Sequence, residues 1–290
     1  MRMILIIVIS SILSGAVVVA CGQGDPDPSE VVATTGILAS ITERIAAEDI
    51  GVTQLIPDGS DPHEFALSAE DRLELEQASL VVANGAALEQ GIPLDETDAP
   101  IWELTANSGA LREGDPHVWM DPAKVADALP SLADALAGAD AAHAADYRRR
   151  AAQYADELTA LDRSIADGLE SIPPENRRLV TSHDALGYFA DRYGLVVLAS
   201  PFGPLGAGGE PSAAALQEAI DAVRDSGVPA VFAQAEDDPS VMERVASETG
   251  VEVVNGLLVE SPGSAETYEE MLRTDEELIV GALTPDSSTP

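Results

Sequence analysis

Three of the chain's four histidines stand in short frames with acids and turn-forming residues: Asp61-Pro62-His63-Glu64, Asp115-Pro116-His117-Val118-Trp119 and Ser182-His183-Asp184. In a chain so poor in histidine, that grouping points to a shared ligand. Imidazole is the commonest protein ligand for zinc, and a neighbouring carboxylate can orient the ring from outside. Glu64 and Asp184 are the adjacent candidates for the outer role. The three histidines lie about fifty to seventy residues apart. That spacing excludes a zinc finger or a helical two-histidine motif and asks for a site assembled from separate loops of a large fold. His143 sits in an alanine-rich stretch and reads as a surface residue. Phe65 and Trp119 read as packing, and Glu236, Asp237 and Asp238 as acids that cap the next helix and meet solvent.

Loops can hold three rings together only if regular elements bring them to one place. From Val31 onward, short β-branched runs alternate with helical stretches, the pattern of an α/β chain with parallel sheets. Val31 to Thr35, Val52 to Ile56, Leu80 to Ala83 and Ile101 to Leu104 read as the strands of a first lobe (31–143). Ser68 is placed to cap the helix through Gln77. Ala123 to Ala137 is helical in composition, and Pro130 should kink or divide it. From Ala144 to Ser171 apolar residues recur every three or four positions without a proline, which predicts one long linking helix (144–171). The alternation resumes in a second lobe (172–290), with strands Leu179 to Ser182, Leu195 to Ala199, Ala230 to Ala233 and Val251 to Val254. Ligands of parallel α/β sheets bind beyond the carboxyl ends of the strands. His63, His117 and His183 all fall after strands and can face one cleft between the lobes. No phosphate-binding glycine fingerprint follows a strand.

The chain begins with Arg2 and an apolar run from Met3 to Ala20, ending on small residues around the single cysteine, Cys21. This resembles a bacterial lipoprotein signal (1–20) cleaved before Cys21, whose thiol is then lipidated, with residues 21–30 as a flexible tether. An uncleaved N-terminal anchor is the other reading; both place the rest outside the cytoplasmic membrane. One cysteine cannot form an internal disulfide. The 51 Asp and Glu against 15 Lys and Arg give a formal charge of −36, and Lys124 is the sole lysine. Such a surface repels nucleic acid and anionic lipid and concentrates divalent cations. The acidity itself reads as adaptation to salt.

The chain resembles the substrate-binding lipoproteins of zinc and manganese ABC importers, the cluster A-I (TroA-like or ZnuA-like) family. The likeness is carried by Asp61-Pro62-His63-Glu64-Phe65, by Asp115-Pro116-His117-Val118-Trp119-Met120-Asp121-Pro122 and by Ser182-His183-Asp184-Ala185-Leu186-Gly187-Tyr188-Phe189. Glu210-Pro211-Ser212, Ser247-Glu248-Thr249-Gly250 and Glu266-Thr267-Tyr268 support it. The resemblance implies two lobes, each with a roughly four-stranded parallel sheet flanked by helices, joined by a rigid helix with a metal buried between them. It implies a monomer, anchored by lipid, that delivers the ion to an ABC permease. The family's first three ligands fall on His63, His117 and His183. A histidine at the third position favours Zn(II), with Mn(II) or Fe(II) as alternatives. The family's fourth ligand, an aspartate after the last strand, is missing: Asn255 stands at the expected place. Glu260 or a water is the preferred fourth ligand, with Asn255 the alternative. The resemblance also implies that affinity weakens as pH falls through about 6.5, where imidazole gains its proton.

Two other functions share these residues. Three histidines with an open fourth position suit a zinc hydrolase or hydratase, with Glu64 or Asp184 as base. A surface adhesin with a merely structural metal is the third reading.

Overall fold

Apolar runs such as Val31–Ala33, Leu80–Ala83 and Ala230–Gln234 are buried throughout, as in parallel strands covered on both faces by helices. A computed structural model of the chain describes residues 30–203 and 210–285. The expected leader (1–20), Cys21 and all of the tether but Glu30 lie outside the described residues. In the first lobe β1 (Val31–Ala33) leads to α1 (Gly36–Ala46), β2 (Val52–Gln54), α2 (Ala69–Gln77), β3 (Leu80–Ala83), β4 (Ile101–Glu103) and the short α3 (Leu104–Asn107). The strands form one parallel sheet in the order β2-β1-β3-β4. Ser68 caps α2 in a reciprocal box with Asp71, as its position before the helix predicts.

α4 (Pro122–Ala139) is one helix with Pro130 inside it, where the sequence suggested a kink or a break. Pro130 is exposed, while Leu129, Leu132, Ala133 and Leu136 continue a buried stripe across it. That packing outweighs the missing hydrogen bond. α5 (Ala144–Leu169) buries Tyr147, Ala151, Tyr154, Leu158, Leu161, Ile165 and Leu169 on one face. Truncating one of its large apolar residues to alanine costs about 2–5 kcal/mol.

The second lobe contains β5 (Arg178–Val180), α6 (Gly187–Tyr193), β6 (Val196–Ala199), α7 (Ala213–Ser226), β7 (Ala230–Gln234), α8 (Ser240–Thr249), β8 (Glu252–Leu257) and α9 (Tyr268–Leu283). Its strands pair in parallel two by two, β5 with β6 and β7 with β8. A single bridge from Thr181 to Phe232 joins the two pairs. α5 packs on α1 and α4 of the first lobe and on α9 of the second. One apolar core runs from Ile41 and Leu129 through Leu158 and Leu161 of α5 to Phe189 and Met271. A core continuous through the linking helix resists wide hinge opening, because packed interiors do not deform smoothly. No helix among the described residues is long and apolar enough to cross a membrane.

Candidate metal centre

The two Asp-Pro-His frames fold alike. Asp61 Oδ1 accepts the backbone N–H of His63 at 2.7 Å, and Asp115 Oδ1 accepts that of His117 at 3.0 Å. These are Asx turns, in which a short carboxylate bonds the chain two residues on. The first follows β2; the second follows α3 and leads into a 3-10 turn, Val118–Met120. His183 follows β5 on an extended segment bridged to Phe202. Its carbonyl accepts from Thr181 Oγ1 at 2.9 Å and Gln234 Nε2 at 3.3 Å.

Glu260 arrives from beyond β8. That strand runs to Leu257, farther than the apolar pattern suggested, with a register shift opposite Ala233 and Gln234 and Gly256 at φ 95°. A positive φ at the irregularity is open to glycine at no steric cost. Asn255 therefore pairs with Ala233 within the strand and is exposed. Leu258 N–H donates to Asp275 Oδ1 at 2.7 Å and Trp119 Nε1 donates to the Val259 carbonyl at 2.8 Å, which pin the approach to Glu260.

His63, His117, His183 and Glu260 meet at one point. One donor atom from each lies within 4.8 Å of all the others, and all four residues are buried. Glu260 Oε1 is 3.0 Å from His117 Nε2, 3.3 Å from His183 Nε2 and 3.8 Å from His63 Nε2. His117 Nε2 and His183 Nε2 are 3.3 Å apart. Ligands about 2.0–2.1 Å from a tetrahedral ion stand about 3.3–3.4 Å from one another. Both ring nitrogens of His63 and Oε2 of Glu260 are buried without hydrogen-bond partners. Such orphans are costly unless another species satisfies them.

Burial alone would lower the His117 pKa, but Glu260 and Asp115 overcome it and push it up to about 9. Burial alone would raise Glu260; the charge on His117 and the hydrogen bond from its ring, with the His183 and His63 rings beside it, hold it well below the usual carboxylate range. Without an ion, the centre is thus an imidazolium–carboxylate pair. Three neutral imidazoles and one carboxylate leave a bound divalent ion with one net positive charge.

The outer partners differ from those the sequence suggested. Glu64 is exposed, and neither ring nitrogen of His63 donates to it. Asp184 is half-buried, while His183 Nε2 faces His117 and Glu260. The carboxylate that reaches a ring is Asp115, 2.8 Å from His117 Nδ1. An aspartate two positions before histidine in a turn was the available signal. Glu89 is buried and accepts from Asn84 N–H at 2.6 Å and Thr34 Oγ1 at 2.7 Å. Asn84 Nδ2 in turn donates to the Pro116 carbonyl at 2.9 Å, beside His117. Trp119 packs edge-on to His117, and Phe65 packs against an apolar cluster of the first lobe, in keeping with packing roles. His143 stays half-exposed beside Asp140.

A cavity of about 250 Å³ adjoins the centre, lined by His63, His183 and Glu260 together with Asp61, Glu64, Glu236, Asp237 and Asp238. Glu236 and Asp237 are half-buried in its wall rather than in open solvent. Burial pushes Glu236 up to about 7 although Ser261 Oγ donates to it at 2.7 Å. Asp238 does bond the first turn of α8, through Ser240 N–H at 2.9 Å.

The profile of the family described as ZnuA, "Zinc-uptake complex component A periplasmic", matches residues 31–282. The chain belongs to this family. ZnuA-family proteins are solute-binding components of metal ABC transporters and not enzymes. Relatives include the manganese-binding lipoprotein MntA of Halalkalibacterium halodurans, 29% identical over 96% of this chain and 96% of that one. The iron-binding protein YfeA of Yersinia pestis is 29% identical over 92% of this chain and 90% of that one. The periplasmic zinc-binding protein TroA of Treponema pallidum superimposes with a TM-score of 0.83 at 26% identity, covering 89% of this chain and 100% of that one.

Proposed function

We propose that this ZnuA-family chain captures Zn(II) as cargo between its lobes and delivers it to the permease of an ABC importer. His63, His117, His183 and Glu260 are the ligands in this reading. The observation that carries it is the convergence of four buried donor atoms from four separate loops, with spacings near those of a tetrahedral shell. Three nitrogen donors and one oxygen favour zinc over the harder manganese ion. Glu260 in the fourth position also removes the open site that a zinc hydrolase built on three histidines needs. Cleavage before Cys21 and lipidation of its thiol would tether the protein at the outer face of the cytoplasmic membrane. Relatives named as lipoproteins, such as MntA, support that placement.

Mn(II) or Fe(II) is the second reading. Glu260 Oε2 is buried and unpartnered, and a bidentate Glu260 would add the further oxygen that a manganese shell would use. The names of MntA and YfeA favour the same alternative.

Metal analysis of the protein purified without added metal, beside His183→Ala, tests the proposal. One zinc per chain, lost or sharply weakened in the variant, is the expected result. Manganese or iron in its place selects the second reading. Zinc indifferent to His183 would remove the proposed centre.

A further inference from the structure

The carboxylate that orients His117 is itself held from outside. Asp115 Oδ1 takes both the backbone N–H and Nδ1 of His117, leaving Oδ2 free to accept from Arg112 Nε at 3.1 Å. Arg112 belongs to the first lobe, but its other contacts lie on α6 of the second. Its guanidinium pairs with Asp191, its backbone N–H donates to Tyr188 Oη at 2.9 Å, and its charge lies 6.0 Å from the Tyr188 ring centre. Tyr188 Oη also reaches the Asp115 carbonyl at 3.4 Å. α6 starts four residues after His183, so the cluster joins the loops of two proposed ligands from opposite lobes.

Gly187, the first residue of α6, shows how closely this contact is packed. A Cβ there would collide with Asp115 Oδ2 and lie 2.6 Å from Arg112 Nε. Glycine at this position lets the helix seat directly on the Arg112–Asp115 pair. The pair with Asp191 is exposed at both ends and by itself contributes little stability. Its consequence lies in what Arg112 holds at its other end: Asp115 is buried, and the Nδ1 side of the fully buried His117 ring rests on it.

Resting on the carrier reading above, we propose that Arg112 is the inter-lobe positioning residue of the metal centre. It clamps Asp115 against His117 on one side and is steadied by Asp191 and Tyr188 of α6 on the other. His117 presents Nε2 to the ion only while its Nδ1 side is fixed. Displacement of α6 loosens Arg112, then Asp115, then His117, and metal release becomes faster. Partners outside the ligand shell commonly change metal affinity by about 10–100-fold.

The test loads the full chain with one equivalent of Zn(II) and follows release into excess chelator by stopped flow. Wild type is compared with Arg112→Gln, Arg112→Lys, Asp191→Asn and the Arg112→Gln/Asp191→Asn double variant. Release from Arg112→Gln should be about 10-fold faster or more. Asp191→Asn should accelerate it by a smaller factor, and the double variant should match Arg112→Gln alone, because Asp191 acts through Arg112. Arg112→Lys should restore part of the loss. Equal release rates in wild type, Arg112→Gln and Asp191→Asn would overturn the inference, as would a double variant whose effects multiply. A change in thermal midpoint with unchanged release would mark Arg112 as structural only. Should Arg112→Gln fail to fold, the surface variant Asp191→Asn decides by its release rate alone. A wild-type chain that binds no zinc would overturn the carrier reading first and this inference with it; a binding chain indifferent to Arg112 overturns the inference only.

Discussion

Asp115 Oδ1 lies 2.8 Å from His117 Nδ1 and 3.0 Å from the same residue's backbone nitrogen. One oxygen thus sets both the turn that carries the ring and the ring's rotation within it. The opposite nitrogen is left facing Glu260 and His183, the geometry a metal ligand needs.

Metal uptake should release a proton at neutral pH. Only neutral imidazole binds a metal, and the two carboxylates push His117 up to about 9 in the ion-free protein. Affinity should therefore fall as pH drops below about 9, a higher window than the ordinary imidazole value of about 6.5 suggested. The ion-free fold changes in the same window. A raised histidine pKa contributes stability that is fully present below about 6.5 and is lost as pH rises through about 9. Calorimetric titration in buffers of different ionisation enthalpy measures the proton. Finding none at pH 7 would contradict the imidazolium–carboxylate pair.

Glu260→Gln should weaken zinc binding by about 100-fold or more, beyond the usual effect of a partner outside the shell. Asn255→Ala should leave binding unchanged, because Asn255 is exposed in β8. Competition against a chromophoric chelator reads both. A large loss in the asparagine variant alone would reverse the assignment of the fourth ligand.

Asp275 is fully buried, accepts from Leu258 N–H and has its second oxygen unpartnered. Burial drives its pKa well above the ordinary value. The unfolded chain then holds fewer protons than the folded one above about pH 4, so this group costs stability as pH rises. Asp275→Asn should raise the thermal midpoint at pH 8 by about 2–4 °C, corresponding to about 1 kcal/mol in a chain of this size. The gain should shrink at pH 5. A midpoint lowered equally at both values would show that the carboxyl does more than receive Leu258.

The surface charge should make stability depend on salt. With 51 acids against 15 basic residues, self-repulsion opposes the compact state, and added ions screen it. The thermal midpoint should climb by several degrees between about 0.1 M and 2 M potassium chloride, well past the point where the screening length falls to about 3 Å. A flat or falling curve would mean that the acids are balanced locally.

Much of this was legible in the sequence. Alternating β-branched and helical runs marked the strands along the chain, because a strand covered on both faces is apolar almost throughout. The periodic stripe of α5 marked the linking helix to within two residues of its end. Pro130 does not divide α4, since local propensity carries no information about the packing that carries the helix through it. Glu260 was the preferred fourth ligand beside water, with Asn255 as the alternative, and the sequence alone could not choose: the extra length of β8 and its irregularity at Gly256 depend on pairing with β7, which is distant in sequence.

The sequence by itself determined the family, the α/β alternation and the three histidines, because turn chemistry and hydrophobic period are local and written in neighbouring residues. The tertiary structure decided between the candidates the sequence left open, bringing Glu260 and not Asn255 to the three histidines; it alone decided that Asp115 rather than Glu64 or Asp184 meets a ring, and that Arg112 reaches across to α6. Each of these depends on where side chains from separated segments end after the core has packed. Adjacency in sequence gives no such direction, because neighbouring side chains on extended or turning backbone point to different faces.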